Sequence, residues 1–402
     1  MWKTYPTRKG ANMASAAAAS DGRFSAEDFP ALRVALVHYW LMTWRGGERV
    51  LRSILDLFPR ADIYTLFYDP VVCGPQVEGH RVITSALDLP FLRSHYRKLF
   101  PLYPFAVNSL ELEEDYDLLI SSESGPAKGI RKPPHLPHLC YVHTPMRYCW
   151  GYTEHYLRTL PQSSRSFVGR QFERLRKWDI GTVENVDLYL ANSFNVSDRV
   201  ARYYRKKAQV VYPPVSLDLF EKPLNEGNGS HYLCFGALVP YKRIDLAIDT
   251  FNQTGDPLVV VGDGSEREKL QRRARPNIRF TGALPWAAVR ELIGQSRALL
   301  FPGEEDFGIV PLEVMASGLP VIAYRKGGAL ETVVDKPNEP EKSSGVFFSE
   351  QSVDCLGQAI KRFEKGESRF DPAWIRRHAR QFGEDHFKRK FSQAVLQVLN
   401  NR

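Results

Sequence analysis

From Arg33 onward the chain alternates short apolar runs with longer segments whose apolar positions recur every three or four residues. A short, wholly apolar run predicts a strand buried on both faces, and the longer period predicts amphipathic helices between the strands. Two such series follow one another. The first predicts strands at Arg33–His38, Asp62–Phe67, Tyr116–Ser121, His138–His143 and Asp187–Ala191. The second predicts strands at Tyr232–Gly236, Pro257–Gly262, Asn277–Gly282, Ala298–Pro302, Pro320–Tyr324 and Gly345–Phe348. Within it Ile244, Ala247, Ile248 and Phe251 fall at i, i+3, i+4 and i+7, a single stripe with which a helix would cover a sheet. Strand and helix in regular alternation predict an α/β fold with two Rossmann-like, doubly wound domains.

The boundary between the series is marked by Tyr212-Pro213-Pro214-Val215 and then by Asn225-Glu226-Gly227-Asn228-Gly229-Ser230, a polar, glycine-rich run of linker composition. The expected organisation is a disordered tail over residues 1–30, an N-terminal domain over 31–215 and a C-terminal domain over 216–374. After Asp371-Pro372 the segment Trp374–Leu399 reads as one or two further helices. No fixed-period repeat is present, which excludes solenoids and propellers. Doubly wound sheets bind ligands beyond the carboxyl ends of their strands, so function is expected in a cleft served by both domains.

Composition narrows the classes. With 402 residues, 43% hydrophobic and 25% charged, the chain has the balance of an ordinary folded protein. No stretch approaches the ~18 consecutive apolar residues of a membrane-spanning helix. The cysteines Cys73, Cys140, Cys149, Cys234 and Cys355 lack the close spacing of a zinc or redox motif, and a reduced, cytoplasmic setting is expected. A net charge of +8 admits nucleic acid, an anionic membrane surface or phosphorylated small molecules as partners. Without zinc-finger spacing, an RNP-like aromatic motif or long Lys/Arg blocks, nucleic acid is set aside.

The strongest chemical signal is the segment Phe301–Ala323. A strand runs into the acidic loop Glu304-Glu305-Asp306, Phe307-Gly308-Ile309 makes a tight turn, and Pro311 suits the first turn of a helix. The free N–H groups of such a helix start would receive a phosphate. Glu305 in the loop and Glu313 along the helix can address different hydroxyl-bearing parts of one nucleotide sugar.

The whole segment resembles the Glu-x7-Glu motif of family 4 glycosyltransferases, retaining enzymes of the GT-B fold. By that resemblance Glu305 lies against the donor sugar, Phe307, Gly308 and Ile309 belong to the donor-binding site, and Glu313 hydrogen-bonds the ribose. The run Gly236–Arg243 is similar to the family's diphosphate-binding segment, in which Lys242 matches the lysine. Two positions depart from the pattern: Ala237 stands where the family has arginine, and Arg243 where many members have glycine. Arg243 either takes over from the missing arginine or is a solvated helix-start cation. Gly262-Asp263-Gly264 matches a site of close approach by the nucleotide base. In the first domain Gly46-Gly47 resembles the glycine-rich loop near the donor diphosphate. His143-Thr144-Pro145-Met146-Arg147 resembles a segment of the branch that assembles polysaccharides, which implies His143 as a sugar contact and Arg147 as a phosphate or acceptor contact.

The resemblance implies a retaining, metal-independent hexosyltransferase with Glu305, His143 and Lys242 as catalytic residues. Its donor would be a nucleotide diphosphate sugar, with GDP-mannose first and a UDP-sugar next, and its acceptor a glycan or lipid-linked sugar. It implies no cofactor, and it implies C-terminal helices over 375–402 that pack back on the first domain. A catalytically silent nucleotide-sugar-binding scaffold is the rival that Ala237 suggests. Asp115-Tyr116-Asp117 reads as the opening of a strand, and His135 with His138 lacks the acidic or cysteine partners of a zinc site, so no metal is expected. The stretch Phe91–Phe105 interleaves bulky apolar residues with cations. It reads equally as a segment packed on its own sheet and as a lip for the inner face of a membrane or a lipid-linked acceptor. The motifs do not define an oligomeric state.

Overall fold

Buried on both faces, Val34–His38 forms strand β1 in the interior of a seven-stranded, wholly parallel sheet. Its companions are β2 (Asp62–Thr65), β3 (Val82–Thr84), β4 (Leu118–Glu123), β5 (His138–Val142), β6 (Leu188–Ala191) and β7 (Ala208–Val210), in the order β3-β2-β1-β4-β5-β6-β7. A second, six-stranded parallel sheet contains β8 (His231–Phe235), β9 (Leu258–Val261), β10 (Ile278–Gly282), β11 (Ser296–Phe301), β12 (Val321–Tyr324) and β13 (Gly345–Phe348), ordered β10-β9-β8-β11-β12-β13. Each sheet is built outward in both directions from its first strand. The order therefore reverses between β1 and β4 in one and between β8 and β11 in the other. Those two reversals are where loops leave neighbouring strands on opposite faces and open a crevice.

The computed structural model describes Phe29 and residues 32–113, 115–217, 220 and 229–401. The tail expected over 1–30 lies outside them apart from Phe29, as does most of the 225–230 run. The described chain divides into two units, one reaching to Ala191 and including Val196–Val211 and Phe387 onward, the other comprising Asn192–Asn195 and Tyr212–His386. All the strands read from the sequence are present within a few residues. The two that were missed, β3 and β7, are three-residue edge strands whose half-buried, mixed side chains carry little apolar signal.

In the second unit Ile244, Ala247, Ile248 and Phe251 are buried along one side of the helix Ile244–Thr254, as their spacing predicts. The C-terminal helices correct the boundary expected at 375. Ile375 and Ala379 of the helix Pro372–Ala379 are buried with Leu312 and Met315, so this helix belongs to the second unit. From Phe387 the helix Glu384–Asn400 joins the first unit, where Phe387, Phe391, Val395 and Val398 share a core with Val34, Leu36 and Ile54.

The stretch Phe91–Phe105 divides as well. Leu92, Tyr96, Leu99 and Phe100 pack against the core that contains Tyr103, while Phe91 and Phe105 are 71% and 59% exposed. The triplet at 115–117 precedes β4, and its acids are engaged with Arg33: Asp117 accepts the Arg33 backbone N–H at 2.9 Å, and Asp115 ion-pairs with its guanidinium. No helix among the described residues is long and apolar enough to cross a membrane.

Candidate active site

The second sheet's reversal gathers the acidic motif and the diphosphate-type segment. Beyond β8 the chain runs through Gly236 to a turn of 3-10 helix at Pro240–Lys242, then enters the helix Ile244–Thr254. Beyond β11 it runs through Pro302 and Gly303 into the acidic loop. A Cβ on Gly303 would come within 2.8 Å of the Lys242 Cα, so the two loops lie backbone against backbone. That approach brings the Lys242 ammonium into an ion pair with the Glu305 carboxylate, both side chains mostly buried. The ammonium also stands 5.8 Å from the centre of the Phe301 ring.

Gly262 and Gly264 let two loops of the second unit pack closely. A Cβ on Gly262 would overlap the carbonyl of Gly236, and one on Gly264 the carbonyl of Leu238. The loops are further tied by Leu238 N–H to the Asp263 carbonyl at 2.9 Å and Glu266 N–H to the Leu238 carbonyl at 3.0 Å. The close approach that these glycines permit is made by the chain's own diphosphate-type loop.

The Arg243 side chain is engaged within the second unit. Its Nε donates to Asp245 at 3.2 Å and its guanidinium to the Gln351 side-chain oxygen at 2.9 Å, while Gln351 in turn donates to the Pro302 carbonyl at 2.8 Å. The guanidinium is thus used to tie the β8 loop to the β11 loop. Its backbone is left-handed, with φ 52°, which accounts for glycine in the resembling sequences.

Gly308, at φ 90°, turns the chain into the helix Ile309–Ala316. Phe307 just before it is buried, its ring stacked on Tyr212 at 5.3 Å, so the ring is a packing element and only the backbone of this turn is left for a ligand. Ile309 is half-buried on the helix's first turn. Glu313, 1% exposed, lies one turn further on the same face. A carboxylate so far from water needs hydrogen-bond donors around it. Sequence reasoning missed Gly327-Gly328. Gly328 N–H donates to the Glu305 carbonyl at 2.9 Å, and a Cβ on Gly328 would overlap the Phe307 backbone. A Gly-Gly pair just beyond a predicted strand was the available signal.

In the first unit the reversal between β1 and β4 places His38 and Ser122 as register partners at the strand ends. Here Gly47, second residue of the helix Gly46–Leu55, lies beside His143: a Cβ on it would stand 3.9 Å from that ring and 3.7 Å from the Tyr39 hydroxyl. His143, just beyond β5, donates its backbone N–H to the Glu123 carbonyl at 2.8 Å, and its Nε2 is 2.8 Å from Ser122 Oγ. Ser122 Oγ is 3.0 Å from His38 Nδ1, and His38 Nε2 is 3.9 Å from the Glu48 carboxylate. None of His38, Glu48 and Ser122 was singled out from sequence, because their meeting depends on strand register. Arg147 lies over the Tyr152 ring at 5.7 Å, and Arg199 approaches the same ring at 5.8 Å.

Below this edge, Lys128 is fully buried and ion-paired with Asp179, which also accepts Trp150 Nε1–H at 2.7 Å. Burial pushes the neighbouring Glu123 carboxyl up to about 7 against the opposing pull of Lys128.

Comparison with known proteins gives the same division. The profile described as Glycosyltransferase Family 4 matches residues 44–219, and that described as Glycosyl transferases group 1 matches residues 217–384. Similar curated proteins include an alpha-1,3/1,6-mannosyltransferase of Kluyveromyces lactis, 26% identical over 57% of this chain and 56% of that protein. An O-antigen chain mannosyltransferase of Salmonella typhimurium is 26% identical over 51% of this chain and 61% of its own length. The chain thus spans a little over half the length of these relatives. Among solved structures, an Anabaena protein in complex with UDP superposes with a TM-score of 0.66 at 16% identity, covering 91% of this chain and all of that one. Sucrose-phosphate synthase from Thermosynechococcus elongatus does so with a TM-score of 0.66 at 18% identity, covering 92% of this chain and all of that one.

Proposed function

As the chain belongs to the family 4, group 1 glycosyltransferases of the GT-B fold, we propose that it moves mannose, with retention, from GDP-mannose to a glycan or lipid-linked acceptor. The observation that carries this reading is the Lys242–Glu305 ion pair at the reversal of the second sheet. It supplies a cation for a departing diphosphate and a carboxylate for the donor sugar.

In this reading the second unit holds the donor. Lys242 exchanges its carboxylate partner for the diphosphate and stabilises the charge that grows on the leaving group. The N–H groups at the Gly308 helix start add to that stabilisation, and Glu305, released, lies against the sugar. Glu313 receives the ribose hydroxyls, and the backbone at Gly262 and Gly264 flanks the base. In the first unit Gly46-Gly47 serves the diphosphate, His143 a sugar hydroxyl and Arg147 an acceptor phosphate. No metal is assigned a step, because Lys242 supplies the positive charge. The leaving phosphate takes the acceptor's proton on the face from which it departs, so His143 needs no role as a base.

Mannose is favoured over glucose by the mannosyltransferases among the similar proteins and by the His143–Arg147 segment. The UDP-bound neighbour supports the fold and leaves the donor base open. The exposed Phe91 and Phe105 give the first unit an apolar lip that suits a lipid-linked acceptor at a membrane surface.

Purified protein incubated with GDP-mannose, UDP-glucose or UDP-galactose and a lipid-linked or oligosaccharide acceptor tests the reading. Transfer from GDP-mannose with an α-linked product by NMR supports it. Transfer from a UDP-sugar alone replaces the donor, and a β-linked product from an α-linked donor overturns retention. Binding of donor without transfer or hydrolysis favours the scaffold that Ala237 suggests.

A further inference from the structure

The helix Gln162–Gly181 of the first unit has two unlike faces. Phe172, Leu175 and Asp179, at i, i+3 and i+7, form its buried side. Phe172 meets the Phe100 ring at 5.0 Å, and Leu175 shares a core with Met146 and Cys149. On the opposite side Phe167, Arg170, Arg174 and Lys177, spaced three and four residues apart, form one exposed stripe.

Five cations lie on this helix, and they divide by use. Arg165 donates to the carbonyls of Leu160 and Arg158, at 3.0 and 3.2 Å. Arg176 donates to the Cys149 carbonyl at 2.9 Å and to Glu173 at 2.7 Å. These two hold the helix in place. The side chains of Arg170, Arg174 and Lys177 have no carboxylate within ion-pair reach among the described residues. The helix's own acids do not offset them, because Asp179 is buried with Lys128 and Glu173 is neutralised by Arg176. The helix Arg267–Arg273 differs: its Arg267, Lys269 and Arg273 face Asp263, Glu266 and Asp249. Arg170 with Arg174 and Arg174 with Lys177 are like charges at i,i+4 and i,i+3, which by themselves weaken a helix. A layer of negative charge against the stripe turns that repulsion into attraction.

We propose that this stripe docks the first unit on an anionic lipid bilayer, with Arg170, Arg174 and Lys177 on the headgroups and Phe167 dipping among them. The three cations span about 10 Å of helix, and Phe167 beside them is 57% exposed. The outer face of a helix is convex, so it suits a broad, deformable charged layer. Its apolar face is taken up by the core, so the helix lies on the headgroups and does not enter the acyl layer. Each basic residue at such a surface raises partitioning about fivefold, so three together raise it about a hundredfold. The Phe91–Phe105 stretch, which touches this helix through Phe100, exposes Phe91 and Phe105 as well. Exposed aromatics on both neighbouring elements favour lipid over nucleic acid as the source of the negative charge. The docking does not rest on the transferase reading. Under that reading it keeps the first unit in the layer where a lipid-linked acceptor diffuses.

Co-sedimentation of the purified protein with phosphatidylcholine vesicles, with and without phosphatidylglycerol and in the absence of donor and acceptor, tests the proposal. The wild type is expected to sediment with the anionic vesicles alone and to be released as added salt screens the charges. The triple variant Arg170→Gln, Arg174→Gln, Lys177→Gln, checked for folding by thermal melting, is expected to partition about a hundredfold less. Phe167→Ser is expected to partition about tenfold less. Wild-type protein that stays in solution with both kinds of vesicle overturns the proposal, as does a triple variant that sediments like the wild type. If the triple variant keeps binding while Phe91→Ser with Phe105→Ser loses it, the membrane contact belongs to the lip and the stripe has no part in it. Binding to an RNA homopolymer and to neither vesicle replaces lipid with nucleic acid.

Discussion

Lys242 and Glu305 are ion-paired although they lie on loops that leave two different strands, β8 and β11, and are 63 positions apart in sequence. The pair satisfies both charges in a place where neither is well exposed, and an incoming diphosphate competes with Glu305 for the ammonium. Lys242→Ala is expected to abolish the rise in Tm that the preferred nucleotide sugar produces by mass action. It should also lower kcat by about 10²–10³, the range for losing one preorganised charge-stabilising group. Differential scanning fluorimetry against GDP-, UDP- and ADP-sugars measures the first effect. A full shift retained in the variant would remove Lys242 from the donor site.

Arg243 makes the opposite prediction. Its guanidinium is held by Asp245 and Gln351, so Arg243→Gly should leave the donor-induced shift in place. Glycine at this left-handed position relieves about 1 kcal/mol of backbone strain, which offsets part of the lost hydrogen bonding. Isothermal titration with the donor is the check. A tenfold or greater loss of affinity would restore Arg243 as the substitute for the arginine missing at Ala237.

At Gly262 a methyl group would overlap the Gly236 carbonyl, and φ 134° is a conformation that side chains rarely adopt. Gly262→Ala is therefore expected to destabilise the second unit by about 2 kcal/mol or more and to displace Lys242 with the loop. Urea unfolding reads the stability. A variant as stable as the wild type would show that the two loops can separate at little cost.

His138 gives a pH dependence. Burial holds its imidazole at about 3 in the fold, against an ordinary value of 6.5. Between those values the unfolded chain binds the extra proton. Stability is thus fully present above pH 6.5 and falls as pH drops toward 3, with a slope of up to about 1.4 kcal/mol per pH unit. His138→Gln, which cannot take up that proton, should lose less stability than the wild type between pH 7 and pH 4. A stability difference between the two that stays constant over this range would contradict the assignment.

How much of this was legible in the sequence depends on how far apart the cooperating residues lie. Central strands such as Val34–His38 and Leu258–Val261 announce themselves because parallel strands covered on both faces must be apolar throughout. The edge strands Val82–Thr84 and Ala208–Val210 do not, since half their surface faces other surroundings. Lys242, Glu305 and Glu313 could be read because each lies in a local motif. The bond from Gly328 to Glu305, the capture of Arg243 by Gln351, and the meeting of His38 with Ser122 arise only when strands distant in sequence align. Phe307 was read as a donor contact from its place in the motif, whereas its stacking on Tyr212 is a tertiary fact.

The first unit's core closes with Phe387, Phe391, Val395 and Val398 against Val34, Leu36 and Ile54. These partners are more than three hundred residues apart in order of synthesis, and the whole second sheet is translated between them. During translation the first sheet must therefore wait with one face only partly covered, while the second unit can complete its core as soon as Phe382 has emerged. The part of the chain made first is the part finished last, and for that interval its exposed apolar face is a target for chaperones and for aggregation.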